Sequence, residues 1–381
     1  MTSVNESTTM QQIEMVDTKP DKLDKPKAKR KYNNKAVIFN LDIDAGAKNV
    51  KARLNGEFVV FPSEFKIISD DVPLKDRGCF LLGKKNYVVG ESVRRVNGEL
   101  ERAVDNKKLS MLEIWILGAI THFRSQLRKA VIDKKRKTEA ANIKLNLRIL
   151  TLSSLKRKEM EKSLKTLSTF IWDDEEFTVS VGIVEFKDEA YGAALEVYHT
   201  EKITEFGLFD IGGGTATYSR CEVVGDEIFL SQRPISGGGV KGIIDDMSIA
   251  LSRNDKGFFS FEASKVEYAL KLSSLDEDFN WSVPLRNEGV DINIDKEVRD
   301  ALTNWSLHTP VRDLLDWISQ ELRSGYPVYC TGGGFASKVI AHWILARLQV
   351  NISNGKITVL PNPEKVNMTG LNWLDPSTDN H

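Results

Sequence analysis

Three stretches of the chain place carboxylates, lysines and glycines at spacings suited to phosphate chemistry. The first is Asp42-Ile43-Asp44-Ala45-Gly46-Ala47-Lys48-Asn49-Val50-Lys51, between two apolar segments. Gly46 permits a tight turn and close backbone approach to a ligand, and successive amides there can point at phosphate oxygens. Lys51 can counter phosphate charge and Asp44 can hold a hydrated Mg2+; an ordinary hairpin with a surface lysine explains the stretch equally well. The second is Asp210-Ile211-Gly212-Gly213-Gly214-Thr215. Three successive glycines cost roughly 0.5–1 kcal/mol each in chain entropy, which a purely structural turn has no need to bear. Backbone amides approaching a polyphosphate give the run a reason, with Asp210 facing the cation and the attacking water. The third is Tyr329-Cys330-Thr331-Gly332-Gly333-Gly334-Phe335, read as a strand whose glycine run opens a helix. A helix N-terminus favours phosphate or a sugar edge, and Gly332 and Gly333 would let the backbone lie flat beneath an adenine or ribose. A tight strand-to-helix turn is the alternative.

Each turn needs a strand ahead of it. Ala36–Ile43 reads as a buried strand, and Val50–Val60 alternates around Asn55-Gly56, a hairpin signal. Phe80–Leu82 and Tyr87–Val89 flank a further short turn. Ser110 is expected to cap an amphipathic helix running through Trp115 and Ile120 to Phe123. Strands are expected near 144–152 and 178–186, then at Phe206–Ile211, Thr215–Val224, Glu227–Gln232 and Pro327–Cys330. Residues 240–322 read as mostly helical around a polar middle at 273–295, and a last helix is expected over about 335–348. Helices interleave with strands, which sets the class as α/β. Strand, hairpin, glycine turn and helix recur twice, which suggests two similar lobes with a cleft between them, although no repeat shows at the sequence level.

Composition narrows the function further. At 381 residues, 41% hydrophobic and 28% charged, the chain can bury two domains or one large two-lobed core. A net charge of −1 excludes a uniformly basic nucleic-acid binder. That balance hides an asymmetry: residues 1–35 carry eight Lys/Arg against five acids, a +3 arm on a −4 remainder. The arm is poor in branched apolar residues and reads as disordered, a solvated tail or a weak electrostatic contact with DNA, an acidic protein or a membrane surface. Three distant cysteines form no disulfide framework, and no apolar stretch reaches the roughly 18 residues of a membrane span. Gly83-Lys84-Lys85 lacks the spacing of a Walker loop, and the five histidines form no metal motif.

The ordered set of three glycine turns, across residues 36–374, resembles the actin, sugar-kinase and heat-shock-chaperone ATPase superfamily. Finer features are similar to the ParM-type bacterial actins that segregate plasmids. Leu82–Glu91 resembles their early hairpin ending in V-G-E. Val184–Ala193 resembles their first connecting segment, and Asn367-Met368-Thr369-Gly370-Leu371 their final N-x-x-G turn. The resemblance implies an actin-like (ribonuclease-H-like) fold, with lobes at 36–205 and 206–375, a basic arm at 1–35 and a frayed tail at 376–381.

It also implies roles. Glu189 would orient the attacking water, and Asp210 would bind that water and hydrated Mg2+. Asp44 would sit in the metal shell and Lys51 would touch phosphate. Gly212, Gly213 and Gly214 would cradle the β- and γ-phosphates, and Gly46 and Thr215 would also contact the nucleotide. Gly332, Gly333 and Gly334 would underlie the adenosine, and Gly238 and Gly239 would approach the ribose or phosphate. ATP, with GTP open, would drive a head-to-tail filament of the chain with itself in the bacterial cytoplasm. A DNA-binding adaptor would link the filament to DNA, and the body would read no DNA sequence. A cell-shape filament or a sugar kinase are the alternatives. Two departures from the pattern bear on hydrolysis: Ala47 stands where a hydroxyl residue is common, and Asp188 where a proline is.

Overall fold

Apolar alternation in the segment leading to Gly46 starts the fold. Phe39, Leu41, Ile43 and Ala45 are buried on one face of a strand, while Asn40, Asp42 and Asp44 lie on the other. Only a two-residue period places one face in a core and the next residue on the opposite side. A computed structural model describes residues 36–69, 75–103, 110–132, 141–151, 157–252, 262–287, 289–349 and 355–375. The basic arm at 1–35 and the tail at 376–381 lie outside the described residues.

That strand is β1 (Val37–Ala45), followed by β2 (Asn49–Leu54) and β3 (Glu57–Pro62). Asn55 and Gly56 take φ values of 46° and 91° between β2 and β3, the pair of positive angles a two-residue hairpin favours. Next come β4 (Glu64–Ile68), β5 (Cys79–Leu82), β6 (Lys85–Val89) and β7 (Leu100–Arg102). Helices α1 (Leu112–His122) and α2 (Arg124–Ala130), β8 (Ala141–Thr151), α3 (Arg157–Leu164), β9 (Thr169–Trp172) and β10 (Glu175–Asp188) complete the first half. Their strands form one ten-stranded sheet in the order β3-β2-β1-β8-β10-β9-β5-β6-β4-β7. Helix α1 buries Leu112, Trp115 and Leu117 in one cluster with Phe39, Leu41 and Leu145, each such side chain contributing about 1.5–3 kcal/mol on burial. Ser110 is not its cap: Met111 holds the N-cap position and no side chain closes it.

The second half runs through α4 (Tyr191–Glu201), β11 (Glu205–Ile211), β12 (Thr215–Val224), β13 (Glu227–Ser236), α5 (Val240–Ser252) and α6 (Ala263–Leu272). The polar middle expected within a helical region holds two short hairpins instead, β14 (Ser274–Leu275) with β15 (Trp281–Ser282) and β16 (Pro284–Asn287) with β17 (Val290–Asn293). Then follow α7 (Asp295–Leu307), α8 (Thr309–Arg323), β18 (Val328–Thr331), α9 (Lys338–Gln349), β19 (Ile357–Val359), α10 (Val366–Thr369) and a final 3-10 turn, Gly370–Leu374. Helix α9 starts at Lys338, so a turn of several residues separates it from the third glycine run.

The repeat invisible in the sequence is plain in the sheets. The order β3-β2-β1-β8-β10 recurs as β13-β12-β11-β18-β19. In both, the first three strands pair antiparallel, and β1 or β11 then pairs parallel with the next strand. Chemistry-bearing residues therefore stand at equivalent strand ends in the two halves: Asp44 near the end of β1 and Asp210 near the end of β11.

The end of the chain returns to both halves. A Cβ on Gly192 would collide with the Asn367 backbone, and one on Gly370 with the backbone of Gly192. The Asn367 side chain also accepts a hydrogen bond from the Ala193 amide at 3.1 Å. Beyond the last turn, Asp375 pairs with Arg53 at 3.1 Å and Arg148 at 3.7 Å. Strand register explains that network, because Asp42 lies opposite Arg53 on β2 and Arg148 on β8. The three cysteines are free and buried, and no described helix is long and apolar enough to cross a membrane.

Candidate functional site

Ligands of open α/β sheets collect at the carboxyl ends of parallel strands, and the candidate residues gather there. Asp44 is opposite Lys51 in the β1–β2 register, and Lys51 Nζ donates to Asp44 Oδ2 at 3.2 Å. Asp210 is opposite Thr331 on β18. Glu189 follows the end of β10, its amide donating to the Thr151 carbonyl of β8 at 3.2 Å.

The first two glycine turns face each other. A Cβ on Gly213 would lie 2.7 Å from Lys48 Cβ, and one on Gly214 3.7 Å from Ala47 Cβ. Their carbonyls are tied down from behind. Ser63, almost wholly buried, donates its hydroxyl to the Gly46 carbonyl at 2.6 Å and its amide to the Lys48 carbonyl at 2.9 Å. The carbonyls of Gly212, Gly213 and Gly214 accept the amides of Val240, Lys241 and Gly237 at 3.0, 2.9 and 2.9 Å. Among the described residues, the amides of Gly46, Ala47, Lys48, Gly213 and Gly214 make no backbone hydrogen bond. Unmatched donors above satisfied acceptors give the two turns the character of an anion nest.

The other glycines are placed differently. Gly238 and Gly239 are buried behind the second turn, where a Cβ on Gly239 would come within 2.6 Å of the Gly212 carbonyl and the Thr215 amide. They shape the turn rather than line its open side. Thr215 closes it, its carbonyl accepting the Gly212 amide at 2.9 Å. In the third run, the Gly332 amide donates to Pro363 at 2.9 Å and the Gly334 amide to Ile211 at 2.8 Å, which leaves Gly333 as its exposed member. Gly332, at φ 94°, has the Asp210 carboxylate where a Cβ would stand. The third turn therefore packs on the end of β11.

No protein-family model matches the chain, and no curated sequence does. Solved structures match over most of its length. An archaeal actin homolog, Ta0583, aligns with 88% of this chain and 98% of its own at 14% identity and a TM-score of 0.64, and it has also been solved in complex with ADP. A 15-stranded ParM filament from Clostridium botulinum aligns with 89% of this chain and 99% of its own, at 16% identity and a TM-score of 0.61. The chain has the actin-like fold. MreB5 of Spiroplasma citri bound to AMPPNP shares it at 15% identity and a TM-score of 0.56, over 89% of this chain and 96% of its own.

Electrostatics single out the strand ends of this actin-like chain. Burial, reinforced by Glu189 and Asp44 and opposed by Lys51, pushes the Asp210 carboxyl up to about 7. Burial opposes charge on Lys51, but Asp44, Asp210 and Glu189 outweigh it and hold the ammonium above its ordinary pKa. Three carboxylates around one lysine leave negative charge that a cation would relieve. Among the described residues, no three His, Cys, Asp or Glu side chains converge to chelate a bare ion. Asp44 and Asp210 therefore fit a hydrated ion better than a directly ligated one.

Several neighbours of the site carry no sequence signal. Lys48 forms an ion pair with Glu267 of α6, joining the first glycine turn to the second half of the chain. Gln232 donates to the Glu189 carbonyl at 2.6 Å and to Ser219 Oγ at 3.2 Å, fixing the backbone that carries the acid. Ser63 reaches the first turn through the Gly46 and Lys48 carbonyls. A glycine run marks its own turn, whereas a residue 17 or 43 positions away that holds the turn in place is set by tertiary packing.

Proposed function

We propose that this chain binds ATP with hydrated Mg2+ between its glycine turns, hydrolyses it slowly, and assembles head to tail into a filament with other copies of itself. The observation that carries this reading is the facing pair of amide nests at Gly46–Lys48 and Gly213–Gly214, with Lys51 and three carboxylates at their edge. A polyphosphate matches that combination of donors and charge. The Ta0583 complex with ADP and the MreB5 complex with AMPPNP support an adenine nucleotide.

Phosphoryl transfer to water asks the protein for position and charge more than for covalent chemistry. Lys51 neutralises phosphate charge, the nests hold the β- and γ-phosphate oxygens, and Glu189 orients the attacking water with Asp210. Asp44 and Asp210 would hold a hydrated Mg2+, which would supply further charge neutralisation to the phosphates. Gly333 lies under the adenosine. The chain divides near residue 205 into two lobes around this site.

The C. botulinum ParM filament supports self-assembly. The task proposed for the filament is segregation of DNA through a DNA-binding adaptor in the bacterial cytoplasm, with a cell-shape filament as the alternative. Phosphate release from the wild type and from Glu189→Ala tests the chemistry. A loss of about 10²-fold or more is expected for a residue that positions the water, and equal rates would remove Glu189 from catalysis. Replacing ATP by GTP in the same assay decides the base.

A further inference from the structure

Glu189 stands at an irregular point of the backbone. It follows the end of β10, and the next residue, Ala190, takes φ 71°, a left-handed conformation that residues with a Cβ rarely adopt. Ala190 is buried at the N-cap position of α4, and no side chain closes the cap. A conformation of that kind persists where its surroundings over-determine it, and such places cluster at functional sites. Two hydrogen bonds hold the backbone of Glu189. Its amide donates to the Thr151 carbonyl of β8 at 3.2 Å, and its carbonyl accepts Gln232 Nε2 at 2.6 Å. The first hold comes from the ten-stranded sheet and the second from β13 of the five-stranded sheet.

Gln232 is itself fixed. It lies opposite Ser219 in the β12–β13 register, and its side-chain amide also donates to Ser219 Oγ at 3.2 Å. Ser219 is 1% exposed, so this second anchor is buried. Four residues further along the same strand, Ser236 lies opposite Thr215, which closes the second glycine turn. The chain then passes directly into Gly237, Val240 and Lys241, whose amides hold the carbonyls of Gly214, Gly212 and Gly213. The second glycine turn and the backbone of Glu189 therefore share one support, β13 and the residues that follow it.

We propose that Gln232 is a positioning residue for hydrolysis: through the Glu189 carbonyl it sets the acid in register with the phosphate turn. The inference rests on the reading of Glu189 given above. Gln232 acts on the reaction only through Glu189, so its loss should slow the chemical step and leave nucleotide binding alone.

Single-turnover phosphate release from the full chain tests this, beside ATP affinity measured by displacement of a fluorescent ADP analogue. Gln232→Met keeps the side-chain length and removes the donor. It should slow release by about tenfold, since a small misplacement of a catalytic group is costly, while affinity stays within about twofold of the wild type. Gln232→Glu, a one-atom change that turns an acceptor toward the carbonyl, should slow release at least as much. Ser219→Ala keeps the bond to Glu189 and should slow it less. The deciding form is Glu189→Ala/Gln232→Met, which should be no slower than Glu189→Ala, because residues that act as one unit are not additive. A double variant slower than Glu189→Ala, or a Gln232→Met form that matches the wild type or loses affinity in step with rate, would overturn the role of Gln232 and leave that of Glu189 standing. A Glu189→Ala form as fast as the wild type would overturn the reading of Glu189 itself, and a wild type that releases no phosphate would overturn both.

Discussion

Lys48, three residues before Lys51, is ion-paired with Glu267, 219 positions further along the chain. The pair joins the first glycine turn to α6, and Lys271 adds a second cation to Glu267 at 3.3 Å. Lys48 also packs against Gly213 of the second glycine turn, so the pair lies at the edge of the proposed nucleotide site. Both side chains keep solvent contact, at 38% and 21% exposure, so the pair is worth about 0.2–1 kcal/mol. Glu267→Gln should speed release of a fluorescent ADP analogue by up to roughly fivefold, less at high salt. Stopped-flow displacement at two ionic strengths measures this.

Gly192 and Gly370 meet backbone to backbone where α4 touches the last turns of the chain. Backbone cannot rotate aside as a side chain does. Gly192→Ala should cost about 1–3 kcal/mol or more, seen as a lower urea midpoint at unchanged slope. Gly225→Ala, at an open hairpin where an added Cβ meets nothing within 4 Å although φ is 63°, gives a comparison limited to backbone strain.

Arg53 is 4% exposed and serves both Asp42, through Nε at 2.7 Å, and Asp375. Burial nevertheless raises the Asp42 carboxyl above its ordinary pKa, even with Arg148 and Arg53 beside it. Removing one member of a buried ionic network strands the others, at about 3–5 kcal/mol. Arg53→Met should therefore destabilise strongly, whereas Asp375→Asn, at a 38% exposed side chain, should cost far less. Chemical denaturation of both variants gives the comparison.

His122 stacks on Phe61 at 4.5 Å with its Nδ1 2.8 Å from the Gly118 carbonyl. Burial lowers its pKa from 6.5, the Gly118 carbonyl and Glu91 oppose that shift, and Arg77 adds to it. The unfolded chain therefore binds the proton more readily than the folded one. The stability this contributes is complete above the unfolded value of 6.5 and is lost as the pH falls from there through the folded value. Between pH 7.5 and pH 5, His122→Phe should lose less of its melting temperature than the wild type, and equal losses would remove His122 from the acid response.

What the sequence makes legible follows from how local each signal is. The strand ahead of Asp44, the Asn55-Gly56 hairpin and the Gly212–Gly214 turn were readable because alternation and glycine write their geometry into adjacent residues. The polar stretch at 273–295 was not, because its two-residue strands are held by cross-strand pairs and by Asp276 and Asn293 side chains rather than by a period. The Gly332–Gly334 run marks a turn, but the helix begins only at Lys338, because Phe335 and Ser337 first donate to the Gly332 and Gly334 carbonyls in tight turns. Lys48 carries no sequence signal, because its partner Glu267 is brought to it only by tertiary packing.

Nucleotide binding between the glycine turns is proposed to drive assembly. Light scattering of the full wild-type chain with ATP, with ADP and with no nucleotide, followed by pelleting and electron microscopy, tests it most directly. Filaments should form with ATP and shrink as phosphate is released, with little or no pellet in the other two conditions. A chain that remains unassembled with every nucleotide would contradict it.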